Sequence, residues 1–135
     1  MFELLQKVLF KHCDPAGIVF YPRYFEMMND CVETWFDQAL DWPFEKIHTG
    51  LGVPTAAIST RFAAPSRHGD HLILRLAVIK LGKTSLTYQM TAHCGEELRF
   101  STEATLVHVG ADGRPTPWPE EVRRRINLDV ISPQS

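Results

Sequence analysis

Residues 12–24 contain the set of groups in this chain that is best suited to chemistry. They read His-Cys-Asp-Pro-Ala-Gly-Ile-Val-Phe-Tyr-Pro-Arg-Tyr, and the order of Asp14, Pro15 and Gly17 is typical of a tight turn. Pro22 suits the first position of a helix, because its missing N–H would have no partner there. The segment therefore predicts a carboxylate in a tight loop directly before the N-terminus of a helix.

This arrangement suits a reaction that passes through an anion. The first N–H groups of a helix lack partners within it and carry the positive end of its dipole, so one of them could hold a developing oxyanion. The Asp14 carboxylate could act as a nucleophile or as a general base on water, and Gly17 would let the backbone approach a ligand closely. An aspartate before a proline also commonly caps a turn, and the spacing alone does not decide between these roles.

One strand before this segment, and one helix and four strands after it, must position it. The helix carries apolar residues at spacings of three and four over a broad face, which is typical of a helix wrapped by a sheet. Short turns between the later strands indicate hairpins, and hence an antiparallel sheet of α+β class. In the first strand, alternation places Val8 and Phe10 on the apolar face. The predicted elements are a strand over 2–11, a helix over 22–40, and strands over 53–62, 71–81, 85–94 and 98–109.

Length and composition predict one folded domain, residues 1–135, in which 111–135 form an extension of loop and short helix. The chain is 44% hydrophobic and 22% charged, which is the balance of a globular protein. A net charge of −2 with scattered basic residues argues against a nucleic-acid partner. No apolar run reaches the roughly 18 residues of a membrane span. The three widely spaced cysteines favour reduced thiols in a cytoplasmic protein.

Other chemistries have less support in the sequence. The six histidines form no i,i+4 pair on the predicted helix, so no metal site is predicted. Cys13 adjoins the loop and is a possible nucleophile, although a small packed residue is the simpler interpretation. The serines lack the Gly-x-Ser-x-Gly setting of a serine hydrolase.

The run from Asp14 to Pro22, followed by Tyr24, resembles the active-site motif of the 4-hydroxybenzoyl-CoA thioesterases of the hotdog superfamily. The motif stands at the same place in the chain, and the order of elements agrees over residues 2–110. The resemblance implies a hotdog fold, in which a curved antiparallel sheet wraps one long central helix. It also implies hydrolysis of an acyl-CoA to a free acid and coenzyme A, with coenzyme A as part of the substrate and no separate cofactor.

The resemblance also implies roles for individual residues. Asp14 corresponds to the catalytic carboxylate, the backbone N–H of Tyr21 polarises the thioester carbonyl, and Phe20 lies beside the acyl group. Lys83 is a candidate contact for a coenzyme A phosphate, since an ammonium is a compact cation, although a solvated turn lysine is an equal interpretation. Another branch of the superfamily uses a carboxylate on the helix, which makes Glu33 a second candidate. Family members are homodimers or homotetramers with active sites at subunit interfaces, so a homo-oligomer is expected.

The acyl group and the reaction class leave alternatives open. A small acyl group is expected, with aromatic groups such as 4-hydroxybenzoyl among the candidates. Hydration or dehydration of an enoyl thioester is one alternative, for which His12 near Asp14 would supply an acid–base pair. The other is a non-catalytic acyl-CoA-binding module, because the family's basic cluster is reduced here to Lys80 and Lys83.

Overall fold

In the computed structural model, which describes residues 1–48 and 50–131, one long helix packs against a five-stranded sheet. The strands run in the order β1-β3-β4-β5-β2, and every neighbouring pair is antiparallel. This confirms the predicted α+β class. The strands are β1 Phe2–Lys7, β2 Thr55–Phe62, β3 His71–Leu81, β4 Ser85–Cys94 and β5 Glu97–Val107, and the helices are α1 Pro22–Gln38, α2 Phe44–Ile47 and α3 Glu120–Leu128.

The core lies between α1 and the concave face of the sheet. Buried residues of α1 recur every three or four positions, as they do at Met28, Val32 and Trp35, so one broad face of the helix is removed from water. Alternate residues of β3 and β4, such as Leu74 and Met90, are fully buried opposite them. No helix within the described ranges is long and apolar enough to cross a membrane.

The first strand is shorter than the sequence predicts. It ends at Lys7, and residues Phe10–His12 form a short 3-10 turn instead. The Leu9 N–H donates to Nδ1 of His12 over 2.8 Å, which directs this N–H into the turn and away from a strand ladder. The prediction was therefore wrong for Phe10, whose side chain is 80% exposed, and right for Val8, which is fully buried.

The C-terminal segment docks onto the body of the fold. The predicted short helix is found as α3, and Val122 and Ile126 on it are buried in the core. Beyond α3, the Val78 N–H donates to the Asp129 carbonyl over 3.0 Å. The Asp129 carboxylate accepts the indole N–H of Trp35 over 2.8 Å.

A ring cluster joins this segment to the end of α1. His108 stacks on Trp118 with ring centroids 5.3 Å apart and meets Trp42 edge-on at 5.3 Å. The Nδ1 atom of His108 lies 2.8 Å from the Thr116 carbonyl oxygen. Residues far apart in the chain are thereby held at the end of the molecule where α1 finishes.

Candidate active site

The turn predicted at residues 14–17 is formed by both backbone and side-chain hydrogen bonds. The Asp14 carbonyl accepts the Gly17 N–H over 2.9 Å, and Oδ1 of Asp14 accepts the Ala16 N–H over 2.9 Å. Gly17 has φ +80°, a conformation that residues with a side chain rarely adopt. Asp14 thus caps the turn with one carboxylate oxygen, whereas Oδ2 has no hydrogen-bond partner in the described part of the chain.

The turn closes a short hairpin that leads into α1. Its two arms pair through the Asp14 N–H, which donates to Ile18, and the Phe20 N–H, which donates to His12, each over 2.9 Å. On its other side the second arm is held by the loop before β3, where the Ser66 carbonyl accepts the Val19 N–H over 2.8 Å. The path of the hairpin is therefore set by backbone bonds on both sides.

Arg99 anchors the supporting loop, a role that the sequence analysis missed. Its Nη1 donates to Oδ2 of Asp70 over 2.7 Å and to Oγ of Ser66 over 3.1 Å. The Arg67 N–H also donates to Asp70 over 2.9 Å, and these two bonds lower the pKa of that carboxyl, the backbone bond more strongly. In the sequence, Arg99 alternates with apolar residues of β5 like a solvated side chain, and only its burial, with 11% of the side chain exposed, distinguishes it from one.

At the start of α1, the backbone N–H of Tyr21 is left without a partner. Pro22 has no N–H, the Arg23 N–H donates to the Phe20 carbonyl over 2.8 Å, and the Tyr24 N–H donates to the Tyr21 carbonyl over 3.0 Å. Across residues 1–48 and 50–131, no acceptor receives the Tyr21 N–H. A free donor at a helix start is the group that can stabilise an oxyanion.

An apolar cavity of about 490 Å³ lies at the start of α1, with Tyr21 among its lining residues. Tyr24 stacks on Phe62 at a centroid distance of 5.7 Å, and the Tyr21 ring meets Phe62 edge-on at 5.7 Å, so aromatic rings form one wall. Asp14 and Phe20 are not among the lining residues, and Phe20 is half-exposed against the Tyr21 ring. The cavity is lined by Ile18, Val19, Tyr21, Tyr24, Phe62, Ala63, Ala64 and Pro65.

His12 is a structural residue of the hairpin in this arrangement. Its ring is buried and accepts the Leu9 N–H at Nδ1, and burial, followed by the charge of Lys11, lowers its pKa. The negative charges of Glu26 and Asp30 on α1 partly oppose this and raise the pKa of the ring. Within the described ranges, no hydrogen bond joins the His12 ring to Asp14. The acid–base pair that the hydratase alternative requires is therefore not formed here.

The remaining candidates lie away from the turn. Lys83 follows the C-terminal end of β3, whereas the hairpin that carries Asp14 contacts the loop before the N-terminal end of β3. Within one chain, Lys83 and Asp14 are therefore separated by the length of this strand, which is roughly 33 Å. Glu33 is exposed on α1 in a polar groove that it shares with Asp30. In the ranges that the structure describes, no group of three or more His, Cys, Asp or Glu side chains could hold a metal ion.

Comparisons with known proteins identify the family. A sequence model of the thioesterase-like superfamily matches residues 8–126. A solved gentisyl-coenzyme A thioesterase is 25% identical with a TM-score of 0.84, covering 93% of this chain and 99% of its own. No curated protein sequence gives a significant match.

Two further solved structures share the fold at lower identity. A 1,4-dihydroxy-2-naphthoyl-CoA thioesterase from Synechocystis is 19% identical with a TM-score of 0.86, over 93% of this chain and 95% of its own. A dynemicin thioesterase, whose structures were solved in a study of polyene binding, is 17% identical with a TM-score of 0.89, over 97% of this chain and 98% of its own. The resemblance seen in the sequence and the hotdog fold that it implies are confirmed, and the chain belongs to the thioesterase-like superfamily and is a thioester hydrolase.

Proposed function

We propose that this chain hydrolyses acyl-CoA thioesters at the Asp14 turn, releasing a free acid and coenzyme A. The observation that carries the proposal is the unpartnered Tyr21 N–H at the start of α1, next to an apolar cavity. The same hairpin presents a carboxylate with one oxygen that has no hydrogen-bond partner in the described chain. A gentisyl-CoA thioesterase among the structural neighbours supports an acyl-CoA substrate.

In the proposed reaction, Oδ2 of Asp14 takes a proton from water as the water oxygen attacks the thioester carbon. The carbonyl oxygen becomes an oxyanion, which accepts a hydrogen bond from the Tyr21 N–H. The carbon–sulfur bond then breaks, and the departing thiolate of coenzyme A takes the proton from Asp14. In the nucleophilic variant Asp14 attacks first and the carbon–sulfur bond breaks, so that coenzyme A leaves as a thiolate. Water then hydrolyses the resulting anhydride to the free acid and the Asp14 carboxylate, and one proton of the water passes to the thiolate.

The acyl group is proposed to be small, with aromatic groups such as 4-hydroxybenzoyl included. The apolar walls beside Tyr21 would accept a ring, with Phe20 beside it and Gly17 allowing close approach of the backbone. Lys83 is proposed to contact a phosphate of coenzyme A. Because Lys83 lies at the far end of β3 from the Asp14 turn of its own chain, the coenzyme A that it contacts would be bound at the Asp14 turn of a second copy. No cofactor beyond the substrate's own coenzyme A is proposed.

A homodimer or homotetramer is proposed as the working assembly. Edge strand β2 pairs with β5 on one side only, and nearly all of its residues are exposed. Ile58 and Phe62 on this strand are 44% and 43% exposed, and an unpaired edge with apolar side chains is a site for pairing with another chain. The three cysteines are free thiols, which supports the proposed cytoplasmic location.

The test is Asp14→Asn, assayed by thiol release from benzoyl, 4-hydroxybenzoyl, phenylacetyl and aliphatic CoA esters. Asparagine keeps an oxygen for the Ala16 N–H, so the turn should remain while the base is lost. We expect kcat to fall on the order of a hundred-fold or more, with KM changed only a few-fold.

Asp112→Asn is the matched control for this substitution. Oδ1 of Asp112 accepts the Arg114 N–H over 3.0 Å, which is the same bond, two residues along the chain, that Asp14 makes. The control should retain full activity. A correctly folded Asp14→Asn protein with wild-type turnover would show that the carboxylate assignment is wrong.

A further inference from the structure

A second, larger cavity lies further along α1 than the catalytic turn. It measures about 630 Å³ and lies between α1 and the strands β2, β4 and β5. Its walls are predominantly apolar and include Phe25, Met28, Val32, Ile58 and Leu106. A cavity of this size and lining is typical of a site for a small apolar ligand.

The two cavities are neighbours along the groove between α1 and β2. Phe25 lines the larger one and Phe62 the smaller one, and these rings meet edge-on at 6.2 Å. Met28 follows Tyr21 by seven residues, which corresponds to about 10 Å along the helix axis. A single aromatic ring bonded to a thioester carbonyl at Tyr21 is shorter than this separation, whereas a longer acyl group spans it.

Among the polar side chains that line the larger cavity, Asn29, His48 and Thr55 are exposed at its rim and Tyr88 is buried. Tyr88 on β4 is only 3% exposed and lines the cavity. Its hydroxyl forms no hydrogen bond within the described chain, and the hydroxyl oxygen remains accessible to solvent. Burial raises its pKa to about 12, with a smaller contribution from nearby Cys31. The hydroxyl therefore stays neutral and can both donate and accept a hydrogen bond.

The hydroxyl is open to solvent, so an apolar acyl group that displaces the water leaves it without a partner, which costs free energy, whereas a ligand that supplies the partner avoids this cost. A carboxylate beside Tyr88 would lose its hydration without gaining an opposite charge, because no Lys or Arg of the described chain lines the cavity and His48 lies at its exposed rim. The cavity therefore favours a neutral hydroxyl or ketone over a carboxylate.

We infer that the substrates include acyl thioesters whose acyl group extends past Phe25 into the larger cavity and carries a neutral hydroxyl or ketone that hydrogen-bonds to Tyr88. This inference rests on the proposed function, because it places the thioester carbonyl at the Tyr21 N–H. It adds a specificity-determining residue and a longer, polar-substituted class of acyl group to that function.

The test measures binding of two thioether analogues that cannot be hydrolysed, those of octanoyl-CoA and ω-hydroxyoctanoyl-CoA. Calorimetry on the full chain should show that the wild type binds the hydroxylated analogue on the order of tenfold more tightly. Tyr88→Phe keeps the ring and removes the hydroxyl, so it should lose this preference and bind the octanoyl analogue at least as tightly as the wild type does. Asn29→Trp, at the exposed rim of the cavity on α1, should weaken both analogues and leave a benzoyl-sized analogue unaffected.

A preference that persists in Tyr88→Phe, or a wild type that binds neither analogue, would overturn the inference. The measurement does not depend on turnover, so the two proposals can fail separately. If a Tyr88-dependent preference appears without thiol release from any CoA ester, then the proposed function is wrong and the binding site stands. If thiol release depends on Asp14 while binding is indifferent to Tyr88, then the proposed function stands and the role of Tyr88 is wrong.

Discussion

At Tyr21 the proposed electrophilic group belongs to the backbone, and the side chain contributes only a half-exposed ring at the rim of the smaller cavity. The N–H has no acceptor among the described residues, because it stands at the start of α1, where no carbonyl of the helix precedes it. Side-chain substitution at this position therefore leaves the donor in place.

Proline at position 21 offers a direct test of the donor. Tyr21 has φ −52°, which a proline ring can adopt, and its N–H has no partner within the described chain to lose. We expect Tyr21→Pro to lower kcat on the order of a hundred-fold, and Tyr21→Ala, which lacks the ring but keeps the N–H, to retain most of it. Steady-state thiol release with both variants makes the comparison, and equal activity in the two would exclude the N–H as the oxyanion donor.

The turn at residues 14–17 and the helix start after it could be predicted from the sequence, but the contacts that hold the neighbouring loop in place could not. Asp14, Gly17 and Pro22 have local signatures, because turn and helix-start preferences depend on a few neighbouring residues. Arg99 and Ser66 have none, since their contacts join β5 to a loop more than thirty positions earlier in the chain.

Among the elements, the Asp14 turn has a counterpart, so that its effect on stability can be separated from its proposed role in catalysis. Gly17 and Gly113 each close a turn by donating to a carbonyl three residues earlier, with φ +80° and +77°. Neither position is crowded, because an added Cβ would meet nothing within 4 Å at either glycine. The difference between them is that Gly17 lies in the hairpin that carries Asp14.

Alanine at each glycine should cost a similar free energy of unfolding. The left-handed conformation costs a residue with a side chain about 1–2 kcal/mol. Urea unfolding should show comparable losses for Gly17→Ala and Gly113→Ala, while only Gly17→Ala lowers kcat. Loss of activity in Gly113→Ala of the same size would mean that global stability, and not the geometry of the turn, sets the rate.

The sequence predicts the elements well where periodicity is strong and less well where a local side chain redirects the chain. Strands β3 and β4 have the predicted bounds, because their alternation is regular and glycine-containing turns limit them. The first strand was predicted four residues too long, because the alternation continues through Phe10 while the His12 ring captures the Leu9 N–H. Helix α2 was not foreseen, since four residues after a proline are too few to show a period.

For the whole molecule, the free edge of β2 determines how copies could meet. The Ala63 N–H donates to the Arg99 carbonyl, and hydrogen-bond direction alternates along an antiparallel strand. It follows that Ser59 and Arg61 point their N–H groups towards β5, whereas those of Ile58, Thr60 and Phe62 point outwards. A second copy could pair with these outward groups.

Thr60→Pro should weaken that pairing with little cost to the subunit. Proline removes an outward N–H that β5 does not use, which an edge strand tolerates. Thr60→Val is the control, because it loses the same hydroxyl contact to Thr102 but keeps the N–H. Sedimentation velocity should show an oligomer for wild type and Thr60→Val, and dissociation for Thr60→Pro. A wild-type monomer at micromolar concentration would count against the proposed assembly.

The cavities are properties of the whole molecule and could not be predicted from the sequence. Tyr88 and Met90 alternate with polar residues on β4 in the same way, and nothing in that pattern shows that Tyr88 lines a cavity while Met90 is fully buried in the core. The space in front of Tyr88 depends on how α1 sits over three strands, and local patterns carry no information on that distance.

The ring cluster at the end of α1 also has a spectroscopic consequence. All three tryptophans of the chain, Trp35, Trp42 and Trp118, lie at that end or in the segment docked there, while tyrosine and phenylalanine line the smaller cavity. Intrinsic indole emission should therefore report the docking of the C-terminal segment. It should change little when a ligand binds at the Asp14 turn, so tryptophan fluorescence in this chain is an indicator of undocking and a poor indicator of substrate.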